Sequence, residues 1–130
     1  MIKFECKELS ISDIEFGCTI TFSEKAETHD STKEMTVDEM IASSGQYIML
    51  QRTYGEYEFE DDYYYFESSD FDKSCKLDDF KIELSRTQFV MTINKEIFET
   101  QITVEELEFE NLKLVLTKII NRKGNLIISD

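Results

Sequence analysis

Between Phe80 and Ile120 the apolar residues change period once, and that change limits the folds open to the chain. Phe80, Ile82 and Leu84 alternate with Lys81, Glu83 and Ser85, and Phe89, Met91 and Ile93 repeat the pattern after a turn at Arg86–Thr87. Alternation of this kind puts one face of each strand in a core and the other in water. The segment therefore predicts an antiparallel hairpin. Phe109, Leu112, Leu116, Ile119 and Ile120 then fall at i, i+3, i+7, i+10 and i+11, the stripe of an amphipathic helix, with Gly124 as its stop. The first four of these should be among the most buried residues. Thr103-Val104-Glu105-Glu106 has capping-box spacing and offers a helix start, in competition with a strand over Phe98–Val104.

Earlier segments also read with period two. Ile2, Phe4 and Cys6 alternate with Lys3, Glu5 and Lys7, and Phe16, Cys18 and Ile20 continue in the same style. Together they predict an opening hairpin around Ser10–Asp13. Gln46–Tyr54 and Asp62–Glu67 are rich in β-branched and aromatic residues and predict strands. Thr36-Val37-Asp38-Glu39 has capping-box spacing before Met40 and Ile41, which predicts one short helical turn. Leu126–Ile128 is a candidate final strand. The sum is an α+β chain: a mainly antiparallel sheet of about seven strands with one C-terminal amphipathic helix packed on it. Residues 1–130 fit one domain, since domains commonly run about 100–150 residues. Proline is absent and glycine occurs four times, so no stretch reads as a linker.

Charge narrows the function more than any single motif does. The formal net charge is −14. Eight carboxylates fall between Glu56 and Asp72 with no basic residue before Lys73, interleaved with seven Tyr and Phe side chains. A solvated acidic tail has no need of aromatics, and a buried strand could not hold so many charges. The combination predicts a folded, strongly negative surface carrying rigid anchors, suited to a basic protein partner. Phosphates and anionic membrane surfaces would be repelled, so neither nucleic acid nor membrane is expected as a partner. No apolar run approaches the roughly 20 residues that span a bilayer. The N-terminus passes directly into the alternating pattern, which reads as unprocessed and cytosolic. Cys6, Cys18 and Cys75 form an odd set without C-x-x-C spacing and are expected to be buried free thiols.

No catalytic constellation stands out in the sequence. His29 is the sole histidine, in a polar segment without a nucleophile elbow. Asp70-Phe71-Asp72-Lys73-Ser74 begins like a calcium loop, but the sixth position is Cys75 and the twelfth is Lys81, where glycine and a bidentate glutamate are needed. Asp61-Asp62 and Asp78-Asp79 are acidic pairs of the kind expected in a chain with 28 carboxylates. Glu58 and Glu60 share one face of an extended chain, which reads as a wet strand face rather than an acid–base pair. The expectation is a protein that is not an enzyme and uses no cofactor or metal. In a strand, Tyr64 and Phe66 share one face and Tyr63, Tyr65 and Glu67 the other. Tyr64 and Phe66 are expected in the core, with Tyr63 and Tyr65 on the charged face.

The segment Tyr47-Ile48-Met49-Leu50-Gln51-Arg52-Thr53-Tyr54, the acidic stretch leading into a Tyr-rich strand, the Phe80–Ile93 hairpin and the terminal amphipathic helix stand in a familiar order. Over residues 46–121 the chain resembles the small immunity proteins of bacterial polymorphic-toxin systems, in particular their tenth family. Asp70–Leu77 and Leu126–Asp130 depart from that pattern. The resemblance implies a cytosolic, non-enzymatic inhibitor that neutralises a cognate toxin by tight binding. Nucleases are one class of toxin with a basic site that an acidic protein would suit. The residues expected to carry partner binding are Glu56, Glu58, Glu60, Asp61, Asp62, Tyr63 and Tyr65. The alternative is an acidic homo-oligomeric structural or ligand-binding domain with its Tyr-rich face at a subunit interface.

Overall fold

The computed structural model describes residues 2–24, 46–55, 61–69, 73–121 and 123–129. In chain order the described strands are β1 Ile2–Glu5, β2 Glu8–Ile14, β3 Gly17–Ser23, β4 Tyr47–Thr53, β5 Tyr63–Ser68, β6 Cys75–Lys76, β7 Phe80–Leu84, β8 Gln88–Ile93 and β9 Glu96–Gln101. Helix α1, Glu106–Ile120, and strand β10, Gly124–Ile128, complete the described elements. The chain is α+β, as its periodicity predicts. Its strands form two five-stranded sheets, in the orders β1-β9-β8-β7-β10 and β2-β3-β4-β5-β6, rather than one sheet of about seven.

Two parallel pairings extend the first sheet at its edges. β1 runs parallel to β9 and β10 parallel to β7. Every other pairing is antiparallel and links consecutive strands. The chain leaves the first sheet at Cys6-Lys7, where the Cys6 N–H donates to the Gln101 carbonyl and the Lys7 N–H to the Ser23 carbonyl. The opening hairpin is therefore not the one expected around Ser10–Asp13, because those residues lie inside β2. The true hairpin joins β2 to β3 through the two residues Glu15 and Phe16, which puts Phe16 in a turn rather than a strand. Gly17, just after that turn, lets β3 approach β4: a Cβ there would lie 2.2 Å from the Arg52 carbonyl oxygen.

The inner faces of the sheets meet through aromatic contacts. Phe22 of β3 stacks on Phe89 of β8 with ring centroids 4.4 Å apart, and Phe66 of β5 meets Phe98 of β9 edge-on at 4.8 Å. Ile20, Ile48, Leu50, Ile82 and Met91 are fully buried between them. The Phe80–Ile93 hairpin forms as its alternation predicts, with Phe80, Ile82 and Leu84 buried and Lys81 and Glu83 in water. Helix α1 lies against β2, β3 and β4 and also touches β10. It buries Phe109, Leu112, Val115, Leu116, Ile119 and Ile120.

Both helix ends differ from expectation. The first cap is Glu105, in extended conformation and without a side-chain capping bond, so the Thr103 capping box does not form. The strand ahead of it ends at Gln101, short of Val104. Glu106 and Glu108 in the first turn and Lys118 in the last complement the helix dipole instead. The helix stops at Asn121, left-handed at φ 37°, whose N–H donates to the Thr117 carbonyl. Gly124 serves the next element: a Cβ there would sit 2.5 Å from the Phe80 carbonyl oxygen, blocking the approach of β10 to β7. The helical turn expected near Met40 and the segments holding His29 and Asp70–Asp72 lie outside the described residues.

Candidate partner-binding surface

The expected site residues divide into three groups. Glu56, Glu58 and Glu60 lie outside the described residues. Asp61 is exposed at the entry to β5, and Tyr63 and Tyr65 follow on the outer face of the second sheet. Asp62 turns the other way, into the fold.

Asp62 is held from three directions. Its Oδ2 accepts from Arg52 Nε at 2.9 Å and Nη2 at 2.7 Å, and its Oδ1 accepts from the Gly55 N–H at 3.0 Å. The Gly55 amide and the Arg52 guanidinium hold its carboxyl below the usual carboxylate range. Arg52 also donates through Nη1 to the Lys118 carbonyl at 2.7 Å, a carbonyl of the last helical turn that has no intrahelical partner to expect. Its guanidinium lies 5.1 Å from the Tyr54 ring centroid and 5.5 Å from that of Tyr64. Asn121 Nδ2 donates to the Tyr64 hydroxyl at 2.8 Å, and Lys118 Nζ meets Asp13 at 2.6 Å. The Tyr54 hydroxyl and the Cys18 thiol share a hydrogen bond at 3.4 Å, which, with burial, pushes the phenol up to about 12. Asp62 is thus not uncompensated: Arg52, ten residues away in sequence, faces it from the adjacent strand. Asp62 positions β5 and the helix end, and Tyr64 and Phe66 lie in the core as expected.

On the outer face, Tyr63 is 54% exposed and its ring stacks with that of Tyr65 at 6.1 Å. The Tyr65 and Tyr47 hydroxyls both donate to Glu67, at 3.4 and 2.9 Å. Burial and that carboxylate push the Tyr47 phenol well above its ordinary value. Asp61 has no ion pair among the described residues. The result is a held aromatic pair beside an unpaired carboxylate.

Near this face Ile14 is 58% and Phe16 71% exposed, whereas the sequence pattern counts Phe16 among the apolar residues of a strand. Ile14, Gly17, Thr53 and Tyr63 occupy one register row across the sheet. The only signal for Phe16 was its place before a glycine, and the alternation with Cys18 and Ile20 masked it. Cys6, Cys18 and Cys75 are free thiols. Burial raises the Cys6 and Cys75 thiols, so neither is poised as a nucleophile. Among the described residues no group of three or more His, Cys, Asp or Glu side chains is arranged to hold a metal. A cavity of about 200 Å³ lined by Lys73, Ser74, Cys75, Ile93, Asn94, Glu96 and Phe98 is smaller than the roughly 300–1,000 Å³ of small-molecule sites. No described helix is long and apolar enough to cross a membrane. No protein-family model matches this chain, and comparisons with curated proteins and with solved structures gave no match either.

Proposed function

We propose that this chain is a non-catalytic inhibitor of the immunity-protein kind, which binds a basic toxin domain made in the same cytoplasm. Asp61, Tyr63 and Tyr65 form the contact surface. The observation that carries this reading is the exposed Tyr63–Tyr65 stack beside Asp61, on a strand whose entry is fixed by Arg52 and Gly55. Preorganised tyrosines offer contact area at low entropic cost. The net charge of −14 supplies long-range attraction to a basic surface such as a nuclease site. Glu56, Glu58 and Glu60, next to this surface in sequence, add to that charge. Asp62 acts through the position of β5 rather than by touching the partner.

The test uses the purified chain and the protein encoded by the gene beside its own. Tyr63→Ala with Asp61→Asn should weaken binding at least tenfold, about 1.4 kcal/mol, with the urea midpoint unchanged. Association should slow at least tenfold between 0.1 and 1 M salt as the Debye length shrinks from about 10 to about 3 Å. Unchanged affinity in the double variant removes these residues from the interface, and a flat salt profile removes the steering.

A further inference from the structure

Strand β2 is an edge of the second sheet, and its hydrogen-bonding parity can be read from its neighbours. The Glu24 N–H donates to the Gln46 carbonyl and the Tyr54 N–H to the Phe16 carbonyl, so the even-numbered residues of β3 bond toward β4. The odd-numbered ones, Gly17, Thr19, Thr21 and Ser23, therefore bond toward β2, where their partners are Ile14, Ser12, Ser10 and Glu8. The backbone N–H and C=O groups of Leu9, Ile11 and Asp13 consequently face the open edge, where no described strand pairs with them.

Native sheets blunt such edges with proline, outward lysines, bulges or short strands. β2 is seven residues long, contains no proline or lysine, and pairs with β3 without a bulge from Glu8 to Ile14; its inward charge, Asp13, is neutralised within the same chain by Lys118. Its sequence also accommodates an antiparallel copy of itself. An antiparallel copy aligned for full overlap sets Ile11 opposite Ile11, Ser10 opposite Ser12, Leu9 opposite Asp13 and Glu8 opposite Ile14. Just beyond the strand, Lys7 stands opposite Glu15. No two like charges face each other, and the odd-numbered residues, whose backbone groups point to the open edge, meet one another, as hydrogen-bonded pairs require. Asp13 already has Lys118 as its counter-ion. Ile14, one of the most exposed large apolar residues of the chain, lies at one end of this edge, where a second copy would run against it.

We propose that two copies of this chain pair β2 to β2 across a two-fold axis centred on Ile11, joining their second sheets into one continuous ten-stranded sheet. The inference is independent of the toxin-binding reading, because Tyr63 and Tyr65 lie three strands away on β5 and stay free. Its salt dependence has the opposite sign: screening the −14 on each copy favours pairing, whereas it weakens the grip on a basic partner.

Sedimentation velocity of the full chain tests the proposal. At about 200 μM the protein should sediment at twice its monomer mass of 15.3 kDa, with the dimer fraction rising from 0.1 to 1 M NaCl. Two double variants on the outer face test the register. Ser10→Glu with Ser12→Lys sets opposite charges across the axis twice and should tighten the dimer at least tenfold. Ser10→Lys with Ser12→Lys sets like charges opposite and should abolish it, although it lowers the net negative charge. A circular-dichroism melt on each variant checks that the monomer remains folded. A wild-type chain that stays monomeric at high salt overturns the proposal, and so does equal behaviour of the two folded variants.

Discussion

Arg52 is where the structure makes its sharpest energetic claim, and replacing it with alanine tests that claim. The substitution removes two bonds to Asp62, one to the Lys118 carbonyl and the stacking on Tyr54 and Tyr64. The Arg52 and Asp62 side chains keep 17% and 25% exposure, so screening limits the ion pair to about 1 kcal/mol rather than the several expected of a fully buried one. The charge-assisted bond to the Lys118 carbonyl adds about 1.5 kcal/mol and the ring contacts roughly 0.5–1 kcal/mol. Arg52→Ala should therefore cost about 3 kcal/mol, lowering a urea midpoint by roughly 1.5–2 M at an ordinary m-value. Arg52→Lys keeps the charge but not the three-way fork, and should recover less than half of the loss. Combined with Asp62→Asn, Arg52→Ala should show a coupling energy of about 1 kcal/mol. The acid limb adds a second readout. The Asp62 carboxyl is depressed in the folded state, so its contribution is complete above its unfolded pKa of about 3.9 and is lost as pH falls through the lower folded value. Asp62→Asn should flatten stability over that acid range. A loss below about 0.5 kcal/mol for Arg52→Ala, or an unchanged acid limb in Asp62→Asn, would refute the reasoning.

Two further expectations follow from the described elements. Asn94 and Lys95 join β8 to β9 with φ of 52° and 66°, a type I′ geometry that favours glycine at the second position, so Lys95→Gly should raise stability by about 0.5–1 kcal/mol in urea melts. Leu116 is fully buried, and Leu116→Ala should cost about 2–5 kcal/mol, checked by the same melts at constant m-value.

What the sequence made legible follows from the range of the forces involved. The β7–β8 hairpin and the apolar stripe of α1 are local patterns, so alternation and 3.6-residue spacing revealed both. Val115 escaped because the helix is buried over a face wider than the stripe. The division into two sheets was not legible, because period two reports that a strand has a buried side and not which sheet it joins. The pairings of β1 with β9 and of β10 with β7 have no local signal at all. Ser10, Ser12 and Asp13 look like turn residues in isolation, yet they pair with Thr21, Thr19 and Cys18, and the chain turns only at Glu15 and Phe16. Asp62 read as one carboxylate in an unrelieved run because its counter-ion arrives from the neighbouring strand. The exposure of Tyr63 and the burial of Tyr64, by contrast, follow directly from strand alternation.

The parallel docking of β1 against β9 also carries a consequence for how the molecule comes into being. Ile2 pairs with Phe98 and Glu5 with Gln101, so these strands meet across more than ninety residues of intervening chain. During vectorial synthesis β1 is made long before its only described strand partner. It must wait while the second sheet takes shape, and it can lock only after the β7–β8–β9 meander has emerged. Pairings of such long sequence separation carry a high loop-closure cost and slow folding. A strand made well before its partner is therefore among the last to find its place.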